Sequence, residues 1–130
     1  MNANSKKASE RVIGCAFAVS NGLGAGFLER VYESALAVEM LDQGLEFEQQ
    51  SPLKVYYRDT LVGRYVADFV VEDKLIVEIK ALSQLTRQHD AQIMNYLKAT
   101  GMTVGLLLNF GTPKMGIKRL VNAHQDHVPI

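Results

Sequence analysis

The chain holds one cysteine, Cys15, no tryptophan and only three prolines in 130 residues. A lone cysteine excludes an internal disulfide, so the fold rests on its apolar core alone. Net charge is also missing: 14 Lys and Arg balance 14 Asp and Glu. That excludes the strongly basic class that grips nucleic acid by charge alone, but leaves room for a local basic patch. Long hydrophobic runs are absent. The longest near-apolar stretch, Val12 to Val19, falls far short of the ~20 residues of a membrane-spanning helix. Residues 1–10 are polar and precede no secretory-type apolar core with a cleavage site, so the expectation is a soluble, cytoplasmic protein without a membrane partner. No internal repeat or low-complexity tract is visible.

What is present is ordinary for a globular chain: 48% apolar and 22% charged residues. The length suits one domain, residues 1–130, with a core over about 10–120 and loose termini. Charge is unevenly spread. Residues 1–79 carry 8 basic and 12 acidic side chains, a balance of −4, and residues 80–130 carry 6 and 2, a balance of +4. Both halves read first as solvated surface, and the second also as a face for an anionic partner.

The apolar spacing from Ala8 to Ser20 predicts a helix, ended by the glycine-rich turn 21–26. A second helix is expected over Phe27–Gln43, its stripe formed by Leu28, Val31, Tyr32, Ala35, Leu36 and Met40, with Gly44 as its stop. The period then changes to 2. Leu45–Gln50 reads as a short strand ended by Pro52, and Leu53–Arg58 and Leu61–Val71 as a hairpin turning at Asp59-Thr60. A second turn at 72–74 leads into the strand Leu75–Lys80. A helix over Thr86–Thr100 and a doubly buried strand over Thr103–Asn109 follow, then a short strand near Met115–Lys118 and a loose tail after Ala123; the core order, without the short strands at 45–50 and 115–118, is α-α-β-β-β-α-β. This is an α/β (α+β) chain with a mixed central sheet and flanking helices.

The sharpest chemical feature is Asp68 followed by Glu78-Ile79-Lys80. Strand side chains alternate faces, so Val66, Asp68 and Val70 share one face, and Ala67, Phe69 and Val71 the other. A turn centred near Asp73 sets Asp68 opposite about residue 78, with Lys80 on the same face as Glu78. Two adjacent carboxylates repel, and a hard divalent cation compensates them naturally. Spacing alone fits equally an ordinary surface pair of Glu78 with Lys80 beside a solvated Asp68.

These residues resemble the PD-(D/E)XK nuclease superfamily: an acidic residue on one strand, E-x-K on the next, then a helix. The stretch Gly26-Phe27-Leu28-Glu29-Arg30-Val31-Tyr32 is similar to the signature of the GxxExxY protein family. So are residues 95–101 and 105–111, and the likeness spans about residues 10–120. The resemblance implies a restriction-endonuclease-like core and a metal-dependent nuclease that hydrolyses phosphodiester bonds of nucleic acid, DNA first. It implies Mg²⁺ or Mn²⁺ held by Asp68 and Glu78, with Glu29 completing the shell or reaching it through water. Lys80 stands as the superfamily lysine. Gln92 and Tyr96 match the Q-x-x-x-Y motif of RecB-like members, positioning the lysine and the phosphate backbone. Ala67 departs from the pattern, standing where the name-giving proline precedes the aspartate.

Helical spacing agrees with part of this, since Glu29 and Tyr32 share a helix face, as do Gln92 and Tyr96. Glu29 also reads as a helix N-terminal acid favoured by the macrodipole. His89 reads as a capping or solvated residue, His124, Asp126 and His127 as a loose polar end, and Cys15 as a small core residue. Arg64 reads as lying at the mouth of the Asp68 face, and Arg87, Lys98, Lys114, Lys118 and Arg119 as a phosphate-binding rim or plain surface. Two other functions fit the chain: a catalytically silent nucleic-acid- or protein-binding module of the same fold, and a subunit of a larger complex. A nuclease of this size is expected to draw specificity from a homodimer or a partner protein.

Overall fold

A computed structural model describes residues 3–122. In order, it has α1 (Ala3–Leu23), α2 (Glu29–Asp42), β1 (Phe47–Tyr57), β2 (Thr60–Val71), β3 (Leu75–Lys80), α3 (Arg87–Thr100), β4 (Val104–Asn109) and β5 (Gly116–Val121). The strands form one mixed sheet in the order β1-β2-β3-β4-β5. All neighbours are antiparallel except β3 and β4. That parallel pair needs a crossover, which α3 supplies. The expected fold class and element order therefore hold, with β5 longer than its sequence signal. The expected tail lies outside the described residues.

Each helix forms where its apolar residues fall on one side. Buried apolar positions in α1 are Ala8, Val12, Cys15, Ala16 and Val19, and in α2 Tyr32, Leu36 and Met40, recurring at the three- and four-residue steps that mark one helix face. These two helices cover one face of the sheet, packing on Phe69, Val71, Val77, Ile79, Leu106 and Leu108. On the other face, Ile93, Tyr96 and Leu97 of α3 pack on Val70, Ile76 and Leu107. β4 is buried at all six positions, as a near-continuous apolar run at the centre of a two-sided sheet requires. Cys15 is buried, and burial pushes its thiol pKa up, which suits an inert core residue. His89 caps α3: the Thr86 N–H donates to its Nδ1 at 3.0 Å.

Three expectations need correction. Pro52 does not end a strand, because β1 runs through it. β1 is the sheet edge, and a residue with no N–H to donate is tolerated there. The hairpin turn lies one residue earlier, at Arg58 and Asp59, which take φ of 48° and 66°, the left-handed pair of a two-residue turn. Leu28 does not join the α2 stripe; it is 79% exposed, because α2 begins only at Glu29.

The fourth correction is the one that shapes the site. Ala67 and Phe69 do not share a face. Ala67 packs with Leu53 and the α3 cluster, whereas Phe69 and Val71 pack with the α1–α2 cluster. β1 switches in step: Phe47 packs on the α1–α2 side and Leu53 on the α3 side. The switch falls at Gln50, whose φ is 53°, and at Asp68 across from it. Their neighbours stay in register, Gln49 with Phe69 and Ser51 with Ala67. A non-glycine residue held at positive φ inside a strand costs about 1–3 kcal/mol, and such residues cluster at functional sites.

Candidate active site

The two carboxylates stand where strands β2 and β3 part. The ladder joins Val71 to Leu75, Val70 to Ile76 and Phe69 to Val77. The next rung sets Asp68 against Glu78, as the turn at 72–74 implies, but there the side chains take over the backbone bonds. The Asp68 N–H donates to Glu78 Oε2 at 2.6 Å, and the Ile79 N–H donates to Asp68 Oδ2 at 2.7 Å. Each carboxylate thus fixes the other's strand through one of its oxygens, and the fork is held open without orphaned N–H groups.

This arrangement leaves two acids in a poor dielectric. Glu78 is 4% exposed. Burial first, and then the Asp68 charge, push its pKa up to about 8, against the opposing pull of the Asp68 N–H and Lys80. Burial also raises Asp68, with the Ile79 N–H opposing, and the nearby Glu33 charge adds to the rise. The pair therefore wants a proton or a cation. A hard divalent ion fits the chemistry of these donors: adjacent carboxylate oxygens, one of each already oriented by a backbone N–H.

The other candidates take up distinct places. Lys80 is half-buried at the end of β3, and its charge acts on Glu29, Asp68 and Glu78 alike. Gln92 donates to the Tyr96 hydroxyl at 3.2 Å. Tyr96 is buried, and burial together with the Glu78 charge raises its pKa. Glu29 lies at the exposed first turn of α2; partial burial raises its pKa, Lys80 lowers it and Asp68 raises it. It is thus within the field of the pair, yet no three His, Cys, Asp or Glu side chains form a ready metal cluster among the described residues. Lys118 is taken up by an ion pair with Asp90 at 3.1 Å rather than free for a phosphate rim. His124, Asp126 and His127 lie outside the described residues.

Two residues of the site were not singled out from the sequence. Gln50 reaches Asp68 Oδ1 at 3.3 Å and Glu33 Oε2 at 3.0 Å, and Gln49 also donates to Glu33 Oε2, at 2.6 Å. Glu33 stands one helical turn after Glu29, so the i, i+4 spacing carried a signal. The positive φ of Gln50 carried none.

A connected scaffold holds Glu29 and Lys80. Tyr32 is fully buried beneath the site rather than in it. Its hydroxyl donates to the Gly24 carbonyl at 2.6 Å and accepts the Phe27 N–H at 3.1 Å, pinning the turn before Glu29. Its ring stacks on Phe110 at 4.8 Å, and the Phe110 N–H donates to the Lys80 carbonyl at 2.8 Å. The buried Asn109 then clamps the chain after Lys80: its amide accepts from the Leu82 N–H at 2.9 Å and donates to the Leu82 carbonyl at 3.0 Å. Gly111 follows because a Cβ there would sit 2.3 Å from the Leu82 backbone. Asn109→Ala is expected to lower the unfolding free energy by about 1–3 kcal/mol, since it leaves partly buried backbone groups of Leu82 unpaired. Denaturant melts with and without the substitution check this.

No curated protein matches the chain. Among solved structures it is similar to the crystal structure of SSO0001, at 16% identity and a TM-score of 0.57, over 90% of this chain and 58% of that one. The chain thus spans little more than half the length of that protein, and the likeness concerns the fold. The family model of the PD-(D/E)XK nuclease superfamily matches residues 6–120, a span that includes both parted strands, the lysine and the helix behind them. The chain belongs to the PD-(D/E)XK nuclease superfamily.

Proposed function

We propose that this protein is a metal-dependent nuclease that hydrolyses phosphodiester bonds of nucleic acid, DNA in the first instance. The observation that carries this reading is the forked ladder. A sheet spends a buried and a half-buried carboxylate at its parting point, each tied to the opposite strand by one oxygen, with Lys80 on the next outward position of β3. Neither acid stabilises the fold as a buried charge, so a role with a ligand explains the cost. Asp68 and Glu78 would hold Mg²⁺ or Mn²⁺. When bound, such an ion lowers the pKa of a coordinated water and steadies the leaving oxygen. Lys80 orients the attacking water and meets the negative charge that grows on the phosphate. Gln92 and Tyr96 keep that face of Glu78 dry and in place, and Glu29 approaches through water from the start of α2. A second copy or a partner chain completes the grip on substrate.

Within the superfamily, Gly26, Glu29 and Tyr32 favour the GxxExxY group. Both positions between the glycine and the glutamate are exposed, while the Tyr32 hydroxyl anchors the turn that leads into Glu29.

The test is cleavage of labelled single-stranded, double-stranded, flapped and four-way DNA, and of RNA, in Mg²⁺ and in Mn²⁺, with Glu78→Gln beside wild type. Metal-dependent cutting that vanishes in Glu78→Gln is the expected result. Binding without cutting by either protein would instead make the chain a catalytically silent binding module, and equal cutting by both would mark a contaminant.

A further inference from the structure

The face switch at Gln50 and Asp68 swings the outer half of the β1–β2 hairpin over α3. Between hairpin and helix lies a groove of about 770 Å³, within the ~300–1,000 Å³ range of ligand sites. Tyr56 and Tyr65 line its hairpin side, and both rings are more than half exposed, at 59% and 52%. Gln88, Asn95 and Lys98 line its helix side, and among the described residues no carboxylate does. The groove borders the candidate site through Gln92 and Tyr96, which line it: the Glu78 and Asp68 charges act on Tyr96, and the Tyr65 ring lies 5.8 Å from that of Tyr96.

Exposed rings, neutral amides and an ammonium group suit a ligand with flat π-faces, hydrogen-bonding edges and negative charge. We propose that this groove seats unstacked bases of single-stranded nucleic acid beside the carboxylate pair, so that the substrate is single-stranded or frayed where it is cut. The inference rests on the nuclease reading for the identity of the neighbouring site. A duplex keeps its bases stacked inside and offers no free ring face to Tyr56 or Tyr65.

The test is fluorescence anisotropy of a labelled oligothymidylate, alone and annealed to its complement, with the intact chain in EDTA. Single strand is expected to bind at least about tenfold more tightly than duplex, and Tyr65→Ala and Tyr56→Ala each to weaken single-strand binding by about 5- to 150-fold. Tyr65→Trp is expected to retain it. Thermal melts of both alanine variants check that they fold, and Tyr56→Ala, at the more exposed position, stands in should Tyr65→Ala melt early. Equal affinity for single strand and duplex would overturn the proposal. So would unchanged binding in both alanine variants, or a concentration-dependent dimer that Tyr65→Ala breaks, since a second copy would then fill the groove. Metal-dependent cleavage, measured separately, keeps the two readings apart. Tyrosine-dependent binding without cleavage overturns the nuclease and leaves the groove. Duplex cleavage at wild-type rate by Tyr65→Ala does the reverse.

Discussion

Lys80→Ala is expected to reduce metal-dependent cleavage by about 10²–10⁴-fold, the usual loss when a positioned proton-transfer or charge-stabilising group is removed, while metal binding survives. The reason is position. Lys80 lies two residues beyond Glu78 on β3, half-buried, and its charge reaches all three nearby carboxyls. It is not a donor to a cation, since an ammonium has no lone pair to give. Asp68 and Glu78 keep their backbone partners without it, because those bonds come from the N–H groups of Asp68 and Ile79. Both wild type and the variant should therefore be stabilised against heat by Mn²⁺, whereas Glu78→Gln should lose both the cleavage and the stabilisation. The measurement is single-turnover cleavage beside thermal melts with and without Mn²⁺. Wild-type cleavage by Lys80→Ala would remove the lysine from the mechanism. Loss of the Mn²⁺ stabilisation in Lys80→Ala would mean that the lysine builds the site rather than acting in it.

The geometry behind this prediction was legible to different depths. A tight turn at 72–74 and a strand period of 2 were enough to bring Asp68 opposite Glu78, because register in a short hairpin follows from its turn. The all-buried β4 was equally plain from its apolar run. Alternation failed at the site itself, at Asp68. The rule assumes a regular strand, and β1 and β2 exchange faces there around a glutamine at φ of 53°. Glutamine does not advertise a left-handed backbone as glycine or asparagine does, so the bend left no mark in the residue pattern. What holds it is tertiary: Gln50 bonds at once to Glu33 on α2 and Asp68 on β2. The same holds for the Asn109 clamp, which joins the end of β4 to the loop after β3 across 27 residues. Pro52 misled for the opposite reason. It is a strong local signal whose weight depends on whether its strand has a second neighbour, and β1 has none.

The buried pair also makes stability depend on pH in a direction opposite to that of a salt-bridged acid. In the unfolded chain the Glu78 carboxyl ionises near 4.5; in the folded, metal-free protein it holds its proton up to about 8. Between those values the folded state binds more protons than the unfolded one, so the unfolding free energy falls as pH rises. The full loss is on the order of 3–5 kcal/mol, complete at about pH 8 and absent below about pH 4.5. A divalent cation takes the place of the proton, so adding Mg²⁺ or Mn²⁺ should restore stability most at the alkaline end and least at about pH 5. Glu78→Gln carries no charge at any pH. Relative to wild type it should gain stability steadily across the window and respond little to metal. Chemical denaturation of both proteins at several pH values, with and without Mg²⁺, reads the contribution of the Glu78–Asp68 pair as the difference between them, since Asp68 titrates together with Glu78 and the remaining groups are shared. A wild type that grows more stable than Glu78→Gln as pH rises, without metal, would mean that the folded state holds Glu78 as a paired charge. The fork would then be an ion-paired structural element rather than a seat prepared for a cation.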